Sequence, residues 1–114
     1  MKIIAEPVDL ETLWKNRETP YEEMMKIVVD VKRDILAIDG ELHADLEKIL
    51  MERGSAQEDL WGANIYPMKG KGHPAFIEFT ALINIRPSAG NRGIKISDNG
   101  IREKVKRIVE RLLI

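Results

Sequence analysis

The stretch "FIEFTALINIRPSAGNRG", from Phe76 to Gly93, decides how we expect this chain to fold. Its first part alternates, and one set of alternate positions is entirely apolar: Ile77, Phe79, Ala81, Ile83 and Ile85. Successive side chains of a β-strand point to opposite faces, so the alternation predicts a half-buried strand from Phe76 to Arg86. Pro87 has no backbone N–H to give to a neighbouring strand and is expected to end it.

A polar loop, Ser88 to Gly93, is predicted directly after this strand. Guanidinium groups bind phosphate or carboxylate through paired hydrogen bonds, and the backbone N–H groups of a glycine-containing turn add further donors. We therefore predict an anion-binding site made of strand and loop residues: Asn84, Arg86, Ser88, Asn91 and Arg92. The alternative interpretation is structural, with Arg86 paired to Glu78 or Asp59 and the loop acting only as a turn.

The segments before this stretch predict the rest of an antiparallel sheet. Residues Leu60 to Tyr66 alternate and are joined to the stretch by a loop rich in Gly and Lys, which favours a hairpin. Ile27–Lys32 and Ile35–Ile38 predict a second hairpin because the segment is rich in Val and Ile and ends at an Asp-Gly pair, although part of its spacing also fits a helix. Lys2–Ala5 predicts a short first strand.

Helices are predicted in four places. Asp9 is placed to cap a short one, and the segment from Asp98 to Leu113 has the clearest helical spacing of apolar residues in the chain. Glu41 to Arg53 repeats Leu and Ile at helical intervals. Thr19 to Met25 begins like a capping box with Pro at the first helical position, which predicts one or two helical turns.

These elements together predict an α+β fold for residues 1–114 as a single globular domain. The expected architecture is a two-layer sandwich, with an antiparallel sheet of four to five strands and helices packed on one face. The other sheet face would then be open and polar, and would carry Asn64, Tyr66, Glu78, Thr80, Asn84 and Arg86. Such a face is solvated, binds a ligand or forms a dimer. Tyr66 has the phase needed to stack on a base or sugar, although a rim position at the strand end is the simpler interpretation.

Composition limits the classes of partner. The 114 residues carry 18 basic and 19 acidic side chains, so the net charge of −1 argues against a nucleic-acid partner. The absence of Cys excludes disulfides and thiolate chemistry and is typical of a reducing compartment, so we predict a cytoplasmic protein. No apolar run reaches the roughly 20 residues of a membrane span, and the high charge content without Cys is also typical of thermophiles.

Catalytic and metal-binding patterns are weak. His43, Asp45, Glu58 and Asp59 include the ligand types of a divalent metal, but His43 and Asp45 are two residues apart and lie on different sides of a helix. Neither His43 nor His73 has a recognisable nucleophile beside it in the sequence. We therefore predict no catalytic residues, no metal ligands and no cofactor.

Three segments resemble a known family: "VVDVKRDILAIDGELHADLE", "GSAQEDLWGANIYP" and "INIRPSAGNR". Their order and spacing are similar to those of the short prokaryotic and archaeal proteins grouped as domain of unknown function 5674, over nearly the whole chain. The resemblance implies a small standalone cytosolic domain and brings no activity with it.

The sequence favours a binding module for a small anionic ligand, a nucleotide or a phosphorylated metabolite, held on the polar sheet face and the 86–93 loop. An alternative is a homodimeric interaction protein without a small-molecule site. A third hypothesis is a metal-dependent hydrolase that uses His43 and Glu58.

Overall fold

A five-stranded antiparallel sheet forms the centre of the protein, as a computed structural model of residues 1–114 shows. The strand order across the sheet is β1-β3-β2-β4-β5, and every neighbouring pair is antiparallel. The strands are β1 (Lys2–Ile4), β2 (Met25–Asp30), β3 (Ile35–Ile38), β4 (Leu60–Ile65) and β5 (Ile77–Glu78). The predicted α+β class and antiparallel sheet are confirmed.

The β2–β3 hairpin is also confirmed, although part of the spacing in this segment also fits a helix. Its register runs from Ile27 opposite Ile38 to Asp30 opposite Ile35. The buried Asp30 carboxylate shapes the turn, since its Oδ1 accepts hydrogen bonds from the backbone N–H groups of Lys32 at 3.0 Å and Arg33 at 2.9 Å. A side chain that accepts hydrogen bonds from the N–H groups of a turn stabilises that turn, and this favours a hairpin over a continuous helix.

Three helices accompany the sheet: α1 (Leu10–Lys15), α2 (His43–Glu52) and α3 (Asn99–Leu112). Asp9 and Asp98 are N-caps as predicted, and their carboxylates accept hydrogen bonds from Thr12 N at 2.9 Å and Ile101 N at 3.1 Å. The buried stripe of α3 consists of Val105, Ile108, Val109 and Leu112. None of the helices combines the length and hydropathy needed to cross a bilayer.

The helices lie on both faces of the sheet, so the expected open polar face is not present. On one face, α1 and α3 pack against residues such as Ile27 and Leu36. On the opposite face, α2 packs its Leu46 and Leu50 against Val28, Ala37 and Leu60. The physical reason is the composition of β2 and β3, which are apolar at consecutive positions, a pattern typical of strands buried on both faces.

The predicted strand from Phe76 to Arg86 is much shorter in the structure. Only Ile77–Glu78 pairs with β4, and two short 3-10 turns, Leu82–Asn84 and Pro87–Ala89, follow. Ala81 packs over Gly62 of β4, where a Cβ on the glycine would lie 2.5 Å from the Ala81 Cβ. The chain therefore folds across β4 instead of continuing beside it, because Gly62 leaves room for this close approach.

The helix predicted for Thr19 to Met25 is wrong. The backbone N–H and hydroxyl of Thr19 donate instead to the Asp39 carboxylate, at 3.3 Å and 2.9 Å, and Met25 already belongs to β2. The local capping pattern is overridden by an acceptor about twenty positions further along the chain.

Candidate functional site

Asn84, a predicted ligand-binding residue, is completely buried and bonded to the backbone of β4. Its Oδ1 accepts a hydrogen bond from Gly62 N at 2.8 Å, and its Nδ2 donates to Gly62 O at 2.9 Å and to Ile94 O at 3.1 Å. The carboxamide thus replaces the strand partner that β5 does not provide at this position. Both of its amide protons are used inside the protein.

Asn91, a second predicted ligand, organises the loop from within. Its Nδ2 donates to three carbonyl oxygens, and its Oδ1 accepts from the backbone N–H and hydroxyl of Ser97, at 2.9 Å and 2.8 Å. The carbonyl acceptors are those of Asn84, Gly93 and Lys95. A ligand would have to break these bonds to reach the side chain, so the geometry gives Asn91 a structural role.

Arg86 pairs with Glu47 on α2, and not with Glu78 or Asp59 as the structural interpretation expected. Its Nη2 lies 3.4 Å from Glu47 Oε2, and its guanidinium stacks 4.8 Å from the ring centre of Trp61. The buried Nη1 has no acceptor in the protein. A guanidinium has five N–H donors, so this residue is held in place but is poorly satisfied.

The five predicted ligand residues do not converge. Arg86 and Ser88 line one cleft of about 590 Å³, whereas the exposed Arg92 lies outside its lining. The same cleft contains the carboxylates of Glu47 and Glu58. With two anionic side chains beside one cationic one, the cleft lacks the positive potential expected of an anion site.

His43, at the start of α2, is buried and hydrogen-bonded, with its Nε2 2.9 Å from Ala63 O. A carbonyl oxygen only accepts hydrogen bonds, so Nε2 carries the proton and Nδ1 keeps the lone pair in the neutral ring. Desolvation by burial holds the pKa of His43 below its ordinary value of 6.5. No three His, Asp or Glu side chains form a group that could hold a metal ion, which counts against the hydrolase hypothesis.

A cleft of about 750 Å³ beside β5 combines apolar and cationic walls, and we call it the β5 cleft. Its lining is Tyr66, Lys69, Pro74, Ala75, Ile77, Glu78, Phe79, Thr80, Lys95 and Arg102. Lys69 and Lys95 form no ion pair. Arg102 is fixed by hydrogen bonds to Ile96 O, at 2.8 Å, and to the side chain of Asn99.

Tyr66 and Glu78 form the polar end of the β5 cleft. The Tyr66 hydroxyl donates to Glu78 Oε1 at 3.1 Å, and Asn64 Nδ2 donates to the same oxygen at 2.9 Å. Burial, followed by the contact with the Glu78 carboxylate, raises the pKa of Tyr66 above its ordinary value, so the phenol stays protonated at neutral pH. The sequence indicated part of this site, since Tyr66, Glu78 and Thr80 are all predicted on one polar sheet face, but the cationic residues come from three separate segments.

The fold defines the molecule as a small α+β domain with one antiparallel sheet between two helical layers. The chain belongs to the family described as protein of unknown function DUF5674, whose family model matches residues 2–112. This confirms the resemblance found in the sequence. Neither the curated proteins nor the solved structures contain a match to the chain.

Proposed function

We propose that the protein is a binding module for a small anionic ligand, a nucleotide or a phosphorylated metabolite, and that the β5 cleft is its site. The observation that carries the proposal is the charge of this cleft, where Lys69, Lys95 and Arg102 face a single carboxylate, that of Glu78. None of the three cations forms an ion pair, so their charge is free to act on a ligand.

The shape and chemistry of the β5 cleft fit a ligand with two unlike ends. Its volume of about 750 Å³ falls within the roughly 300–1,000 Å³ typical of small-molecule sites. Ile77 and Phe79 supply an apolar surface for a base or other ring, and the cations supply donors for a phosphate. Arg102 is already held by two hydrogen bonds, which reduces the entropy lost when a ligand binds.

The proposed site keeps Tyr66, Glu78 and Thr80 of the predicted polar sheet face but leaves out the 86–93 loop, and the ligand class is the same. On that loop, Asn84 and Asn91 are engaged inside the protein and Arg86 is paired with Glu47. Arg92 is the one predicted cation that is exposed and has no partner. It serves as a matched control, because its removal changes the net charge without touching the β5 cleft.

The homodimer alternative depended on a bare sheet face. Since α2 covers much of that face, no observation in the structure favours this alternative over ligand binding.

A thermal-shift experiment tests the proposal with nucleotides, phosphorylated sugars and inorganic sulfate as probes. Bound ligand stabilises the native state by mass action, so at least one probe should raise the Tm. The double variant Lys69→Gln/Lys95→Gln should lose that shift, and Arg92→Gln should keep it. If no probe raises the Tm, the proposal fails; if Arg92→Gln alone loses the shift, the site lies on the 86–93 loop instead.

A further inference from the structure

A second cationic surface lies between the β2–β3 turn and α3. Its lining is Val31, Lys32, Asp34, Lys104, Arg107, Ile108 and Arg111, around a volume of about 380 Å³. We call it the basic groove. It shares no residue with the β5 cleft.

The basic groove carries four cationic side chains and one carboxylate, that of Asp34, whereas the whole chain has a net charge of −1. Lys104, Arg107 and Arg111 lie at spacings of three and four along α3, so their side chains share one face of the helix. None of them, nor Lys32, forms an ion pair. Like charges at these spacings repel each other and destabilise a helix.

Glu103 and Glu110 lie four and three positions from Arg107 on α3, but neither forms an ion pair with it. Glu103 and Glu110 line a different cleft, together with Lys71 and Lys106. The helix therefore has a mixed-charge side and a cationic side, although the whole chain has a net charge of −1. Such separation creates a local positive potential that attracts anions.

The walls of the groove are also fixed relative to each other. Arg111 Nη2 donates to the backbone carbonyl of Asp34 at 2.8 Å, which ties the turn to the helix. Asp34 adopts a left-handed conformation with φ of 57° and lies in the tight turn between β2 and β3. Val31 and Ile108 form the floor.

We infer that the basic groove binds a ligand with consecutive phosphate groups, such as a phosphodiester strand or a pyrophosphate. This goes beyond the proposed function, since it concerns another site. Lys104 and Arg111 are separated by about 10 Å along the helix, a length over which a nucleic-acid strand presents about three phosphates. The groove contains no aromatic side chain on which a base could stack. We therefore expect it to contact phosphate groups and not bases.

Two probes test the inference and identify the source of the phosphates. The first is a fluorescein-labelled oligothymidylate of about ten nucleotides, followed by fluorescence polarisation at about 50 mM and 200 mM NaCl. The second is inorganic pyrophosphate, followed by calorimetry. Binding of the oligonucleotide alone identifies a strand as the ligand, and binding of pyrophosphate alone identifies a small phosphoanhydride; either result supports the groove if the variants below agree.

The decisive variant is Lys104→Gln/Arg107→Gln, with Lys106→Gln as the control on the mixed-charge side of the same helix. At low salt we expect the double variant to weaken binding about tenfold or more, with a shallower salt dependence, and the control to change it less than about twofold. All these side chains are solvent-facing, so thermal melts should show that each variant folds. The inference is overturned if neither probe binds, or if Lys69→Gln/Lys95→Gln abolishes binding while Lys104→Gln/Arg107→Gln leaves it intact. That last result would support the β5 cleft alone.

Discussion

The side-chain amide of Asn84 hydrogen-bonds both the N–H and the C=O of Gly62, at 2.8 Å and 2.9 Å, and so completes the edge of β4. A buried backbone group without a partner costs about 1–3 kcal/mol. Asn84→Ala should therefore reduce the free energy of unfolding by about 2–6 kcal/mol, since it leaves two such groups without a partner. Urea denaturation measures this loss.

Arg92→Ala is the control for this variant, because Arg92 is exposed on the same segment and has no partner. We expect it to change the free energy of unfolding by no more than about 0.5 kcal/mol. Equal stability of the two variants would show that the Asn84–Gly62 pair does not support the sheet edge.

The same pair illustrates why the sequence predicted the fold better than the site. The α3 helix was predictable because its cap, Asp98, and its apolar stripe are local features of the chain. Asn84 looked like a ligand because it is polar and alternates with apolar residues, but its partner, Gly62, lies 22 positions earlier. No periodicity within a segment records such a contact, and a glycine gives no hydrophobic signal of its own.

The sequence did not predict that α2 packs on the second face of the sheet, for a related reason. Apolar residues at consecutive positions of β2 indicate burial on both faces, yet the same positions also satisfied simple alternation. The cationic clefts were missed because their residues, for example Lys32 and Arg107, come together only through the tertiary fold.

Val109 tests the packing of α3 on the sheet. Its side chain has no solvent exposure and belongs to the main core. Val109→Asp should unfold the protein or lower its stability by several kcal/mol, because a buried unpaired carboxylate costs about that much. Circular dichroism melts measure the effect, and Lys106→Asp on the exposed side of α3 is the control. A cooperative melt of Val109→Asp at the wild-type Tm would remove α3 from the core.

His43 predicts a pH dependence of stability. Burial lowers its pKa in the folded state relative to the ordinary value of 6.5, so the unfolded chain binds the proton more readily. The stability that the folded protein gains by keeping His43 neutral is therefore fully present above about pH 6.5. It is lost as the pH falls from there through the lower folded-state pKa of His43.

Chemical denaturation between about pH 7.5 and pH 5 checks this dependence. His43→Gln should flatten the decline in stability at acidic pH, since its amide does not titrate in this range. His73→Gln should keep the decline, because His73 lies in the exposed loop before β5. If both variants decline as the wild type does, other groups control the acid sensitivity of the protein.

Glu47 provides the single hydrogen-bond acceptor that the structure gives to the Arg86 side chain. The two side chains are only 13% and 14% exposed, so water replaces a lost partner poorly. Glu47→Gln should lower the free energy of unfolding by about 1–3 kcal/mol, because it removes the negative charge that compensates a mostly buried guanidinium. Glu58→Gln is the matched control, because Glu58 lines the same cleft but forms no ion pair.

A double-mutant cycle with Arg86→Met isolates the coupling energy between Arg86 and Glu47, which should be favourable. In the Arg86→Met background, the Glu47 substitution should be nearly neutral. Equal effects of the two glutamate variants, with no coupling to Arg86, would mean that stacking on Trp61 holds the guanidinium in place without help from Glu47.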